Sequence, residues 1–468
     1  MSAFEFTVSS ICGPHGFFST ERPVYISRAP GRLDLMGGNV DYTGGLVFQS
    51  TIREATWAAV QQRTDRRIVF WNPQMKREGW LDRIEFSFDA LSSFEAVKAL
   101  VNASPQIRWT AYVLGAFFLL HERYPDQTQL GASIYIESEV PLNKGVSSSA
   151  AVEVSVMKAA AASYGVDLHG IELAEACQWV ENVIADSACG IMDQAASVLG
   201  EVDHVLPLLC QPCLPRPLVK LPAGLRCWAV DSGVCHAVTG IEYEAARAAA
   251  FIGYKMICDW EGLPVNKEES GRIPRYSDPK WNGFLSNMAP SVFRSRHEQR
   301  LPEFLLGAEV LAQQSVHPDP FTSVRPEVMY RVRACTRYAV EENQRIELFI
   351  ELARYNAHSP SEAAFLQMGE LMFQSHWSYT ETGLGCEATD QLVEIVRNHW
   401  GAGRLYGAKV TGGGAGGTVA VLGATDAVED FQQAVAEYAK LRSIEPYVFE
   451  GSSMGADRFG IHVLRESQ

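Results

Sequence analysis

The 468-residue chain carries 40 Lys and Arg against 55 Asp and Glu, a formal charge of −15, and 47% of its residues are hydrophobic. Nucleic-acid affinity rests on lysines and arginines that neutralise phosphates, so this acidic balance excludes a general polyanion binder; the length allows about two to four domains with real cores. Residues 1–20 have no basic start followed by an apolar run, and the most apolar stretch, 109–120, is too short to span a bilayer, so a soluble, cytoplasmic protein is expected.

In chain order, residues 24–27 read as a short strand ended by Ala29-Pro30-Gly31, with a glycine-punctuated loop through Gly45. Strands are expected over 47–60, 67–71, 83–88 and 133–139, and helices over 109–124, 151–164 and 171–184. Residues 207–222 contain five prolines and read as a connector, which puts the domain boundary between 1–222 and 223–468. Beyond it come a strand over 226–230, a helix over 242–258, a polar insertion or lid over 267–302, and helices over 328–342, 344–354 and 362–375. The last block is strand, glycine run and strand over 408–422, a helix over 427–442 and a strand over 460–464. Ten cysteines are scattered, which fits reduced thiols. Cys210 and Cys213 form the one Cys-x-x-Cys, and no second pair completes a zinc site.

Asn143-Lys144-Gly145-Val146-Ser147-Ser148-Ser149 leads from a strand straight into an alanine-rich segment. Such a loop suits a helix N-terminus, where serine oxygens cap free N–H groups and the helix dipole favours an anion. Residues 412–417 satisfy Gly-x-Gly-x-x-Gly, but the pattern runs on into another strand rather than opening a helix, which argues against a nicotinamide-binding fold. No Gly-x-x-x-x-Gly-Lys-Ser/Thr sequence occurs anywhere in the chain. Taken singly, Asp193 reads as a helix cap, Arg32 and Asp41 as a surface pair, and Glu181 as a solvated helix residue.

Three blocks in order carry a resemblance: Arg28-Ala29-Pro30-Gly31-Arg32-Leu33-Asp34-Leu35-Met36-Gly37-Gly38-Asn39-Val40-Asp41-Tyr42, the serine loop, and Lys409-Val410-Thr411 with its glycine run. Together they resemble the signature motifs of the small-molecule kinases named for galactokinase, homoserine kinase, mevalonate kinase and phosphomevalonate kinase, in their galactokinase-like sugar branch. The resemblance implies an α+β fold of two domains, the N-terminal one like the second domain of ribosomal protein S5 and the C-terminal one ferredoxin-like, with ATP and sugar in the cleft. It implies ATP held by Asn143 through Ser149 with Gly413 and Gly414, Mg²⁺ on Ser149 and Glu181, Asp193 as the base and Arg32 as its holder. Gly38, Asn39, Asp41, Gly190 and Tyr243 then match sugar-contacting positions.

Two departures matter. Galactokinases usually carry Glu and His where Gly38 and Asn39 stand, and those residues meet the hydroxymethyl end of the hexose. Losing that partner suits a sugar without carbon six, so L-arabinose is the expected substrate, with galactose or galacturonate as alternatives and a non-catalytic sugar sensor as a third. Asn143 stands where the family has glycine, and Lys144 is expected to offer a point charge to phosphate. No nucleic-acid or membrane partner is expected, and the chain is read as a monomer or weak homo-oligomer.

Overall fold

The computed structural model describes residues 2–235, 241–269, 274–313, 316–399 and 404–465. Strands β1 (Val24–Met36), β2 (Leu46–Gln62), β3 (Arg67–Trp71), β4 (Arg83–Ser87), β5 (Ala132–Ser138) and β6 (His204–Leu209) belong to a first sheet. A second sheet holds β7 (Leu225–Asp231), β8 (Leu405–Val410), β9 (Thr418–Ala424) and β10 (Val448–Glu450), in the antiparallel order β8-β9-β7-β10. The last strand, β11 (His462–Leu464), returns to the first sheet, whose order is β11-β1-β2-β5-β3-β4 with β6 on the opening half of β2.

The first strand is longer than its sequence suggests. It runs through Pro30-Gly31 to Met36 by slipping register between Pro30 and Arg32 and again between Asp34 and Met36. Proline lacks the N–H that a regular ladder needs, and a bulge removes that demand. Past the bulge, Arg32 N–H bonds Val146 O at 3.0 Å instead of a strand neighbour. A Cβ on Gly31 would lie 2.6 Å from that same carbonyl oxygen, so glycine is what lets the serine loop rest on the strand.

Helices α1 (Ala111–Arg123), α2 (Ser148–Ser163), α3 (Gly170–Val183) and α4 (Met192–Leu199) pack together, with α2 lying on β1 and β2. The alanines of α2 are small enough for close approach on every side, so it is buried nearly all round. Beyond them come α5 (Ile241–Trp260), α6 (Val332–Asn356), α7 (Glu362–Tyr379), α8 (Glu387–Asn398) and α9 (Val428–Arg442). Helix α6 is one continuous element where the sequence suggested two, because Asn343 does not break it: its side-chain oxygen accepts from Leu46 N–H at 2.8 Å.

One further expectation is corrected. The proline-rich stretch after residue 206 is sheet, not a free connector: β6 continues into two-residue ribbons at Leu214–Pro215 and Val219–Lys220. The polar segment after residue 266 contains a short ribbon, Asn266–Glu268 with Arg275–Ser277, and then turns that brace the first glycine loop. There Ser286 donates to Gly44 O at 2.6 Å, and a Cβ on Gly44 would sit 2.2 Å from the Phe284 ring.

The two sheets are joined by charge as well as by apolar packing. Lys409 on β8 meets Asp34 on β1 at 2.6 Å with both side chains fully buried. Gln49 donates to the other Asp34 oxygen at 2.6 Å, and the Thr411 hydroxyl accepts from Asp34 N–H at 2.7 Å. No disulfide joins the ten cysteines. Among the described residues, no helix is long and apolar enough to cross a membrane.

Candidate active site

A cavity of about 610 Å³ opens where the serine loop, β1 and α4 converge. Arg32, Asn39, Asp41, Asn143, Lys144, Gly145, Ser147, Ser148, Ser149, Glu181, Gly190, Asp193, Tyr243 and Gly413 all line it. Gly38, Val146 and Gly414 do not. Val146 is fully buried behind the loop, a Cβ on Gly38 would point at Asp34 Oδ2 (2.8 Å) and Gly412 O (3.1 Å), and one on Gly414 would meet the Tyr379 ring at 2.5 Å.

The serine loop turns through three left-handed residues, Asn143 (φ 58°), Gly145 (φ 70°) and Ser147 (φ 59°). Asparagine tolerates that conformation better than most side chains, so the loop keeps its path where the family has glycine. Ser147 precedes α2 without a side-chain bond to it, which overturns the expected serine cap. Its hydroxyl donates to Asp193 Oδ2 instead. The first N–H groups of α2 therefore keep the anion-binding character of a helix start. The Lys144 ammonium pairs with Asp231 at 2.7 Å at the cavity wall.

The glycine run lies against this loop. Gly412, Gly414, Gly416 and Gly417 all have positive φ, and a Cβ on Gly412 would fall 2.6 Å from Gly145 O. Thr418 adds a bond from its hydroxyl to Lys144 O at 2.7 Å.

Asp193 sits inside the first turn of α4, after the cap residue Ile191, so it is not a cap. Arg32 holds it with Nε to Oδ1 at 2.8 Å and Nη2 to Oδ2 at 2.9 Å, and Arg32 Nη1 donates to Gly145 O at 2.7 Å. The expected surface pair of Arg32 and Asp41 is thus replaced: both are buried, and the partner of Arg32 is Asp193. Asp41 packs on the backbone of Gly190, where any Cβ would come within 1.8 Å of Oδ2. Burial, and then the charge of Asp193, pushes the Asp41 carboxyl up to about 6, against the pull of Arg247.

Glu181 is not solvated; its side chain is 2% exposed. Burial, and then the charge of Asp193, raises it to about 7, while hydrogen bonds from Ser149, Cys189 and Gln194 favour the ionised form. The Gln194 amide bridges Glu181 (2.5 Å) to a second buried carboxyl, Glu153 (3.1 Å). Sequence reading missed Glu153, although it lies four residues after Ser149, one turn along the same helix face. Tyr243 stands edge-on to Tyr42, whose ring is covered by the Arg247 guanidinium at 4.9 Å; Arg247 in turn forms a buried two-point pair with Asp319 at 2.8 Å. The far end of the cavity is aromatic, with Trp80, Trp109 and Tyr112 beside Asn72 and Arg108. Arg108, Trp109 and Tyr112 stand together at the start of α1, while Asn72 and Trp80 come from an earlier turn, and none carries a local signature.

Family models match three parts of the chain: the galactokinase galactose-binding signature over residues 16–62, the GHMP kinases N terminal domain over 111–201, and the GHMP kinases C terminal over 361–441. The chain belongs to the GHMP kinase family. Within the family its relatives lie in the sugar-kinase branch. The L-arabinokinase of Arabidopsis thaliana is 34% identical over 96% of this chain, and the chain spans 48% of that protein's length. The galactokinase of Chloroflexus aggregans is 29% identical over 95% of this chain and 96% of its own. The fold of this GHMP kinase matches that of Lactococcus lactis galactokinase with a TM-score of 0.73, at 21% identity and 98% coverage of both chains. The Methanococcus jannaschii mevalonate kinase shares the fold at a TM-score of 0.54.

Proposed function

We propose that this GHMP sugar kinase transfers the terminal phosphoryl group of ATP to the anomeric hydroxyl of L-arabinose, with Mg²⁺, giving L-arabinose 1-phosphate and ADP. The observation that carries the reading is the Arg32–Asp193 pair at the wall of a cavity whose other walls are the serine loop and Asp41.

In the reaction an O–P bond forms at the sugar's anomeric oxygen, the bond to the bridging oxygen of ADP breaks, and the hydroxyl proton goes to the Asp193 carboxylate. Arg32 fixes that carboxylate beside the reacting oxygen with its two-point hydrogen bond. A placed base of this kind contributes typically ~10² to 10⁴ in rate. The first N–H groups of α2 and the backbone of Asn143 through Ser148 receive the triphosphate, with Gly413 on the opposite wall. Lys144 supplies a cation there once phosphate competes with Asp231 for it. The aromatic end of the cavity offers stacking faces for the base.

The donors Ser149 and Glu181 fit a hard divalent cation. They are a hydroxyl and a buried carboxyl already hydrogen-bonded to each other, and burial raises the carboxyl. Mg²⁺ bound there with the triphosphate supplies charge neutralisation to the transferred group. Few protein ligands are needed, because Mg²⁺ commonly takes one or two carboxylates plus phosphate and water.

On the sugar side, Asp41 accepts ring hydroxyls, Gly190 leaves room for Asp41, and Asn39 and Tyr243 bound the pocket. The pentose is favoured over galactose by Asn39, which lines the cavity where galactokinases usually carry His, and by the likeness to the plant L-arabinokinase. A galactose kinase is the second reading, favoured by the signature over residues 16–62. ADP release measured with L-arabinose, galactose and galacturonate at equal concentration separates the readings. A tenfold preference for galactose in kcat/KM would overturn the pentose, and no sugar-dependent ADP would overturn the kinase.

A further inference from the structure

Tyr379, the last residue of α7, is fully buried between the first glycine loop and the glycine run of residues 412–417. Its hydroxyl lies 2.6 Å from Asn39 Nδ2 and 2.8 Å from Gly412 O. A backbone carbonyl can only accept, so the phenol's hydrogen goes to Gly412 and its oxygen must accept from Asn39. That assigns the Asn39 amide: its NH₂ faces Tyr379, and its carbonyl oxygen is left as an acceptor for a ligand. Asn39 itself lines the cavity, in a left-handed conformation with φ 61°.

The ring of Tyr379 is clamped. Tyr338 packs edge-on at 5.6 Å and donates its own hydroxyl to Gly38 O at 2.7 Å. On the other side Gly414 has no side chain, and a Cβ there would come within 2.5 Å of the ring. Beyond Tyr379 the helix passes into a π turn, Thr380–Leu384, a feature frequent at functional sites. Position 38, meanwhile, is closed off from the cavity, which leaves Asn39 as the nearer of the two departing residues to a bound sugar.

We propose that Tyr379 is a positioning residue that sets sugar selectivity: it holds the Asn39 carbonyl oxygen toward the cavity and ties that orientation to Gly412 in the glycine run. The proposal rests on the sugar-site reading above and names the residue that makes Asn39 selective. Burial holds the phenol well above its ordinary range, so the relay keeps its proton at any working pH.

Tyr379→Phe keeps the ring and removes the relay. Binding of L-arabinose and galactose is measured by calorimetry, and turnover by ADP release, for the native chain, Tyr379→Phe, Asn39→Ala and the double variant. Loss of one oriented hydrogen bond predicts about tenfold weaker binding of the preferred sugar. The ratio of the two sugar affinities should move by a similar factor, with the KM for ATP and the melting temperature nearly unchanged. The double variant should be no worse than the poorer single one. A ratio that stays within about twofold of the native value, or losses that simply add, would overturn the proposal. A native chain that binds sugar without turnover would sink the kinase reading, and the affinity ratio would still decide the role of Tyr379.

Discussion

Arg32 and Asp193, 161 positions apart, meet in a two-point ion pair at 2.8 and 2.9 Å, and the hydroxyl of Ser147 donates to the same carboxylate. One side chain from β1 and one from the serine loop therefore fix a single carboxyl, carried by α4, at the cavity wall. Asp193→Asn keeps the shape and removes the proton acceptor. The expected result is a kcat lower by ~10² to 10⁴, with the sugar KM changed only a few-fold, because the lost role belongs to the transition state. The variant also leaves the buried Arg32 unpaired, so a melting curve must accompany the kinetics. Near-normal turnover in a folded variant would end the assignment of Asp193 as base.

Much of this constellation was legible in the sequence because motifs keep their members close together. Arg32, the serines and Asp193 each sit in a recognisable local pattern. What was not legible is contact between distant residues that have no pattern of their own. Glu181 on a helix reads as solvated until three neighbouring helices close over it. Tyr379 looks like an ordinary helix residue until it meets Asn39, 340 positions away. The break expected after Gly31 failed for a related reason: Pro30 ends a regular ladder, but a bulge, with Val146 O as the new partner, lets the strand go on.

Gly38→Glu offers a check on the geometry of the first glycine loop. From the sequence alone this change looks like a switch toward galactose. The structure aims the new side chain at Asp34 Oδ2, 2.8 Å from where its Cβ would stand, inside the buried Asp34–Lys409 cluster. A second carboxylate there has no partner and is costly to bury. The expected outcome is a lower melting temperature and loss of turnover on both sugars. A stable variant with improved galactose kcat/KM would contradict it.

Asp41 gives a pH dependence with a definite sign. Its folded carboxyl is raised from 3.8 to about 6, so its contribution to stability is fully present below about pH 4 and is lost as pH rises through 6. Asp41→Asn should therefore melt higher than the native chain at pH 7.5, by an amount on the order of 3 kcal/mol, with the gap closing toward pH 4. Sugar affinity should run the other way. In the native chain it falls as pH drops below 6 and the acceptor is protonated, and in Asp41→Asn that slope disappears. Melting curves and sugar titrations between pH 4 and 8 test both.

Lys409→Met leaves Asp34 without its ion partner in a site with no exposure. Breaking a buried pair costs about 3 to 5 kcal/mol, whereas replacing both partners with apolar residues of similar volume is often close to neutral. The single variant should unfold at clearly lower denaturant, and the double variant with Asp34→Leu should recover part of the loss. Equal stability of the single variant and the native chain would mean that the joint between the sheets rests on apolar packing alone.

The central claim is phosphorylation of L-arabinose at its anomeric hydroxyl, and the most direct test is a sugar panel with ATP and Mg²⁺, read as ADP release and as the position of the new phosphate. The expected product is L-arabinose 1-phosphate, with kcat/KM for L-arabinose above that for galactose. Phosphate on any other hydroxyl, or a tenfold preference for galactose, would contradict it.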